Sequence, residues 1–359
     1  MAGRTSVGLD IGTSGVRAAE LSFGKGGVTL ERFGQVALPA GAVRDGEVVD
    51  PQAVASAIKH LWSSVKFSTK KVVLGVANQK VIVRQVDMPW LPEAEMRQSL
   101  GFQVQDYIPI PVEQAVLDFH PVEEFVNDAG VRMVRVLLVA AMRDMVMSAL
   151  DAVKAAGLVA TQVDLTPFAV LRAAGQVDPF GVAPDVQNGA EALVDIGSRV
   201  TNIVVHQNGA PRFVRVLLMG GENVTEAVAE RMGVPMEHAE GVKQQMGLAS
   251  MPGVPDTDHP AARVIETTGS ALLEEIRGSL DYYLAQPASV PLRRVVVSGG
   301  GAMLGGLLPR LAAATRLPVV PAAPLSAIGV GKVGLSDDQL RYVEPLATVP
   351  VGLAMGVAS

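Results

Sequence analysis

The chain contains no cysteine, which excludes a disulfide framework, a thiolate metal site and covalent thiol chemistry. It is also poor in charge. Of its 359 residues 18% are charged and 49% are apolar, which argues against extended disorder and leaves room for about two domains with a large core. No basic block stands out among 30 Lys and Arg against 36 Asp and Glu, a net charge of −6, so nucleic acid is not an expected partner. No charge-free apolar run reaches the roughly 18 residues that a bilayer span requires. The opening "MAGRTSVGLDIG" has an acid where a signal peptide would need its apolar segment, so the expected location is cytoplasmic. His60, His120, His206, His238 and His259 show no metal-ligand spacing. A nucleophile elbow is missing, and so is a P-loop, because Lys332 is followed by Val333 and the leading glycine is absent.

What is present is a repeat. "VGLDIGTSGVRAAEL", residues 7–21, runs from an apolar stretch through Asp10 and Gly12 into Thr13, Ser14 and a second strand-like segment. "ALVDIGSRVTNIVVHQNG", residues 192–209, repeats this with Asp195, Gly197, Ser198 and Thr201. Each reads as a β-hairpin whose turn carries an acid and glycine. A buried strand tolerates a lone carboxylate only where something positive meets it. A third cluster lies in "RRVVVSGGGAMLGGLLPRLAAATRL", residues 293–317, where a strand enters Gly299, Gly300 and Gly301 before a helix from near Gly306. Glycines there let backbone N–H groups approach a ligand. As a dinucleotide fingerprint the cluster fails. Gly305 falls one residue late, and no Asp or Glu between Ala302 and Ser336 can hold a ribose.

Two such turns can grip a polyphosphate from both sides. Asp10 and Asp195 would then face each other across a cleft and hold Mg2+, largely through water. Thr13, Ser14, Ser198 and Thr201 supply hydroxyls. Arg17 either meets the β- or γ-phosphate or is a solvated strand residue.

The two Asp-Ile-Gly hairpins and the Ser-Gly-Gly-Gly turn resemble the two phosphate motifs and the adenosine motif of the ATPase superfamily of actin, hexokinase and the heat-shock chaperones. Three further stretches are similar to motifs of the PilM family of type IV pilus assembly proteins, relatives of the cell-division protein FtsA. They are "VDMPWLPEAEMRQSLGFQVQDYIPIPVEQAVLDF" (86–119), "VDLTPFAVLRA" (163–173) and "EEIRGSLDYY" (274–283). The resemblance spans essentially the whole chain. It implies an α/β, actin-like (RNase H-like) two-lobed ATPase fold with an FtsA-type inserted α+β subdomain. Lobe 1 is expected over 1–74 and 158–189 with the C-terminal 343–359, and the partner-binding insert over 75–157. Lobe 2 is expected over 190–222 and 263–334, with a smaller 2B-like subdomain over 223–262.

Within the insert, strands are expected at 71–77 and 80–88, a helix at 93–107, strands at 114–121 and 131–141, and a helix at 144–156 stopped by Gly157. Trp90, between prolines, either anchors a partner peptide or plugs the insert's own core. "GLASMPGVPDTDHPAARV", residues 247–264, reads as a mobile loop.

The resemblance further implies ATP and Mg2+ as cofactors, with Lys243, Glu275 and Arg277 at the adenosine beside the glycine turn. It implies that the partner is the cytoplasmic N-terminal peptide of a PilN-type inner-membrane protein, with other pilus assembly components beside it and self-association left open. Membrane association is then indirect, because the stretch from Pro345 onward lacks the basic amphipathic end that FtsA-like anchoring requires. Three function classes follow: a nucleotide-binding scaffold, a polymerising FtsA- or actin-like ATPase, and a small-molecule kinase. Hydrolysis needs a residue that orients water, and a kinase needs a base. Around Leu165-Thr166, where relatives carry Gln or Glu, there is neither, so ATP binding with weak turnover is expected.

Overall fold

The computed structural model describes residues 4–175, 189–249, 253, 257–287 and 289–356. Part of the expected 247–264 loop (250–252 and 254–256) and the end of lobe 1 at 176–188 lie outside the described residues.

The first lobe opens with a meander of three strands, β1 (Arg4–Ile11), β2 (Gly15–Gly24) and β3 (Gly27–Ala37), the first two buried over continuous runs. A short ribbon, β4 (Val43–Arg44) and β5 (Glu47–Val48), leads to α1 (Pro51–Val65). Asp50 caps α1, its Oδ1 accepting the N–H groups of Gln52 and Ala53 at 3.0 Å. β6 (Lys71–Val76) follows, and β10 (Val159–Leu165) completes the sheet after the insert. In the second lobe β11 (Ala190–Ile196), β12 (Thr201–Gln207) and β13 (Ala210–Leu217) repeat the meander. Asn208 and Gly209, at φ 52° and 80°, form its two-residue turn. Helices α5 (Gly221–Met232), α6 (Met236–Met246) and α7 (Ala262–Leu284) come next. The lobe ends with β14 (Leu292–Ser298), α8 (Leu307–Thr315) and β15 (Val319–Pro321).

The two sheets have one topology. Lobe 1 runs β10-β6-β1-β2-β3 and lobe 2 runs β13-β12-β11-β14-β15, with the first strand of each lobe between an antiparallel and a parallel neighbour. β16 (Gly329–Val330) crosses from lobe 2 to pair with Thr29 and Leu30 at the edge of lobe 1. This doubling places Asp10 and Asp195 at equivalent positions near the ends of β1 and β11, so the sequence repeat is a structural one. α5 and α6 do not form a core of their own. Val224, Val228 and Ala239 are buried in the same cluster as Val194, Ile203 and Ile276 of lobe 2.

Between the lobes lie α4 (Thr166–Ala174) and α9 (Asp337–Met355). Ala169, Val170 and Leu353 of these helices share a buried cluster with Val73 of one sheet and Leu193 and Val204 of the other. Glycine makes the contacts close enough. A Cβ on Gly8 would lie 2.1 Å from Pro350 O, and one on Gly352 would lie 1.8 Å from Ala169 O.

The insert is β7 (Ile82–Pro89), α2 (Glu93–Gln103), β8 (Ala115–Val126) and β9 (Arg132–Met142), with sheet order β7-β9-β8. Its core, built from Val86, Met88, Met96, Leu100 and Val136 among others, is separate from those of the lobes. Three expectations are corrected here. α3 (Arg143–Ala155), placed with the insert on sequence, packs instead on α1 in lobe 1, where Ala152 and Val153 join Ile58 and Leu61. α2 stops at Gln103 rather than Tyr107, and a short 3-10 turn, Gln105–Tyr107, leads to Ile108, held extended by the following Pro109. β8 runs past Pro121, because it is an edge strand and a register shift between Pro121 and Glu123 absorbs the missing donor. Trp90 is partly buried. Its Nε1 donates to Glu124 at 3.0 Å and the Arg132 guanidinium lies 3.8 Å from its ring centre, so its polar edge and one face are already used.

Candidate functional site

Three turns meet where the lobes face each other. The first, Gly12–Ser14, follows β1, and Gly12 N–H donates to Gly15 O at 3.0 Å. The second, Gly197–Val200, follows β11 with the same closure, Gly197 N–H to Val200 O at 2.9 Å. The third, Gly299–Gly301, follows β14, and Gly299 adopts a φ of 84°. A Cβ on Gly299 would lie 2.4 Å from Ile196 O and 2.9 Å from Asp195 Oδ1, and one on Gly301 would lie 2.4 Å from Ile196 Cγ2. The third turn therefore rests directly on the second, which only glycine permits. Among the described residues the backbone N–H groups of Thr13, Ser14, Ser198, Arg199, Gly300 and Gly301 have no acceptor. Each of the three turns thus carries free donors.

Two carboxylates stand at the strand ends that lead into the first two turns. Asp195 is buried, accepting from Ser298 Oγ at 2.9 Å and from Asn202 Nδ2 at 3.3 Å. Asp10 sits opposite Arg17 in the β1–β2 register, with Arg17 Nη1 3.7 Å from its Oδ2. Burial pushes the Asp10 carboxyl up to about 6, and the Asp195 charge adds to this against the pull of Arg17. Burial pushes Asp195 up as well, against Ser298, Asn202 and Arg17. Arg17 Nε and Asn202 Oδ1 are buried without a hydrogen-bond partner among the described residues. Two desolvated carboxylates that repel each other, one flanked by an Arg donor and the other by an Asn acceptor left over, suit a hydrated divalent cation beside an anion.

The hydroxyls divide. The hydroxyls of Thr13 and Ser14 have no hydrogen-bond partner among the described residues, and Ser14 is exposed, although its carbonyl accepts Leu38 N–H at 3.0 Å. Ser198 Oγ donates to Glu222 Oε2 at 2.6 Å. Thr201 is fully buried and its hydroxyl donates to Met219 O at 2.7 Å, so it ties β12 to the segment after β13 instead of facing a ligand.

A family model for type IV pilus assembly protein PilM matches residues 8–357. The chain belongs to that family. It is also similar to a chain of a solved PilM-PilN type IV pilus biogenesis complex, at 28% identity and a TM-score of 0.82, covering 99% of this chain and 98% of that one. The fold alone is shared with ethanolamine utilization protein EutJ from Carboxydothermus hydrogenoformans, at 16% identity, a TM-score of 0.55, and 99% and 90% coverage. Cell division protein FtsA of Bacillus subtilis is 27% identical over 268 residues, 68% of this chain; the match spans 58% of that protein's length. FtsA of Neisseria meningitidis serogroup B is 26% identical over 383 residues, 96% of this chain and 88% of that protein. The fold is thus the actin-like, two-lobed one with an FtsA-type insert.

The adenosine residues expected by family resemblance are placed less uniformly in this PilM-family chain. Lys243 is buried beside the third turn, its Nζ bonded to Gly221 O at 3.1 Å, Thr225 Oγ1 at 2.9 Å and Glu240 Oε2 at 2.7 Å. Arg277 is half-buried on α7 and pairs with Glu274 and Asp281 of its own helix; Glu275 is exposed. Among the described residues no hydrogen bond or ion pair joins either of these two to the three turns. Sequence reasoning missed Gly220 and Gly221, which enter α5. A Cβ on Gly220 would lie 2.5 Å from both Gly197 O and Ser198 O. Gly221 N–H donates to Gly197 O at 3.0 Å and Glu222 N–H to Ser198 O at 2.8 Å. Adjacent glycines between a strand and an amphipathic helix were the available signal. Asn202 and Ser298, the acid's own partners, carry no such signal.

Proposed function

We propose that this protein is an ATP-binding scaffold of the type IV pilus assembly machine. The observation that carries the reading is a pair of carboxylates at equivalent strand ends, Asp195 buried and Asp10 mostly so, each beside a glycine turn whose backbone N–H groups are free. Thr13, Ser14, Ser198 and Arg199 donate backbone N–H groups to phosphate oxygens, and Arg17 adds a charge. Asp10 and Asp195 would hold Mg2+, which neutralises phosphate charge when bound. Gly299, Gly300 and Gly301 leave room for the nucleoside end.

Weak turnover fits the residues at the start of α4. Asp164, the acid nearest the expected water-orienting position, is committed to Arg172, and its Oδ1 accepts Leu165 N–H at 2.7 Å. Thr166 carries no base. This favours a scaffold over a kinase.

The partner proposed for the insert is the N-terminal peptide of a PilN-type inner-membrane protein, by likeness to the solved complex. The exposed apolar side chains Phe102, 82% exposed, and Tyr107 are part of the surface the insert offers. No helix among the described residues is long and apolar enough to cross a membrane, and membrane association in this reading is through that partner. Calorimetry with MgATP tests the nucleotide part. Saturable uptake by the full chain, abolished by joint Asp10→Ala and Asp195→Ala, is expected; no uptake by folded wild type overturns it. Peptide capture measured with and without ATP tests the scaffold, and hydrolysis at about 1 per second or faster would contradict it.

A further inference from the structure

Lys243 is an unusual lysine. It is 7% exposed, and an ammonium has three N–H donors. All three are spent on Gly221 O, Thr225 Oγ1 and Glu240 Oε2, at 3.1, 2.9 and 2.7 Å. Glu240 is committed in turn, accepting from Thr225 Oγ1 and, at 2.8 Å, from Gln244 Nε2. A ligand contact by this ammonium would have to break one of these buried, charge-assisted bonds.

The group it holds matters more. Gly221 lies between the ammonium and the third turn, since a Cβ built there would be 3.6 Å from Lys243 Nζ and 3.5 Å from Gly301 Cα. The N–H of Gly221 donates to Gly197 O and that of Glu222 to Ser198 O, so the same step also fixes the second turn. We infer that Lys243 is a positioning residue, a strut that fixes the Gly220–Gly221 step and through it the spacing of the second and third turns, and that it does not contact the nucleoside. This rests on the nucleotide reading above. It makes a different prediction from direct contact: the loss is felt by the phosphates.

The test compares MgATP with magnesium tripolyphosphate, which has no base or ribose, by competition against a fluorescent ATP analogue on the full chain. For Lys243→Met the inference expects both affinities to fall by the same factor, about ten- to a hundredfold, with binding stoichiometry unchanged. Lys243→Arg, which keeps charge and donors, recovers part of both. If Lys243→Met fails to fold, Thr225→Val removes one acceptor of the strut and is expected to lower both affinities equally, by a smaller factor. Loss of ATP affinity with tripolyphosphate unaffected assigns a nucleoside contact and overturns the inference. So does an unchanged pair of affinities, or a wild type in which tripolyphosphate cannot compete. Wild type that binds no ATP at all is a separate result, and sinks the nucleotide reading itself.

Discussion

Asp10 and Asp195 are shifted the opposite way from Glu266 and Glu191. Glu266 is pushed up by burial, yet Arg310, Gly253 N–H and Ser270 hold it down at about 2. Glu191, with His206 and Arg294, also stays below the usual range against its burial. The two aspartates go up, because their neighbours do not offset desolvation. The sign of the consequence follows. Between about pH 4 and pH 6 folded Asp10 keeps a proton that the unfolded chain has released, so its contribution favours folding at low pH and is lost as pH rises through about 6. Asp10→Asn is therefore expected to stabilise the ligand-free protein at pH 8 by on the order of 1 kcal/mol, raising its thermal midpoint, and to leave the midpoint unchanged near pH 3. Unfolding scans at both values without magnesium check this; equal shifts at both would mean the effect is not protonation. MgATP affinity should also weaken as pH falls below about 6.

At this scale the sequence told part of the story. Asp10, Asp195 and the glycines were readable because each type has a physical reason to recur at a strand end. The duties of Ser198 and Thr201 were not, since a hydroxyl's acceptor, Glu222 or Met219 O, comes from another element.

Among the elements, strands and tight turns followed from periodicity and glycine, and their bounds moved by a few residues. α3 shows the limit. An amphipathic stripe says that a helix buries one face, and not which layer receives it. Glycine in helices sorts into two kinds that sequence cannot separate. Gly352 of α9 meets Ala169 O at 1.8 Å from where its Cβ would be, whereas Gly278 of α7 has nothing within 4 Å. Gly352→Ala should cost about 3 kcal/mol or more by forcing α9 off α4. Gly278→Ala should stabilise by roughly 0.5–1 kcal/mol. Chemical denaturation of the two variants reads both; a stable Gly352→Ala would mean that the crossing is looser than described.

For the whole molecule, the separate core of the insert makes a clean excision feasible. Val83 and Val139 are paired neighbours on β7 and β9, and both also pack on the lobe 1 side of the junction. Joining them with a short Gly-containing turn is expected to leave MgATP binding within about twofold, a shift of no more than roughly 0.4 kcal/mol, and to abolish capture of a PilN-type peptide. Retained capture would move the peptide site onto the lobes.

α9 has a consequence for biosynthesis. Its Val343, Ala347, Val351 and Ala354 close the apolar face formed by Ala19, Leu21, Leu30 and Phe33, which the ribosome made hundreds of codons earlier. Its Pro345 O also accepts Gly299 N–H at 3.1 Å. The first sheet therefore waits, with one greasy side uncovered, until this late segment emerges, while the second lobe can mature on its own schedule. A chain released after Gly334, with β14, α8 and β15 clear of the ribosome, should present a protease-sensitive front half and a resistant rear half, and its early strands should be the ones that draw chaperones.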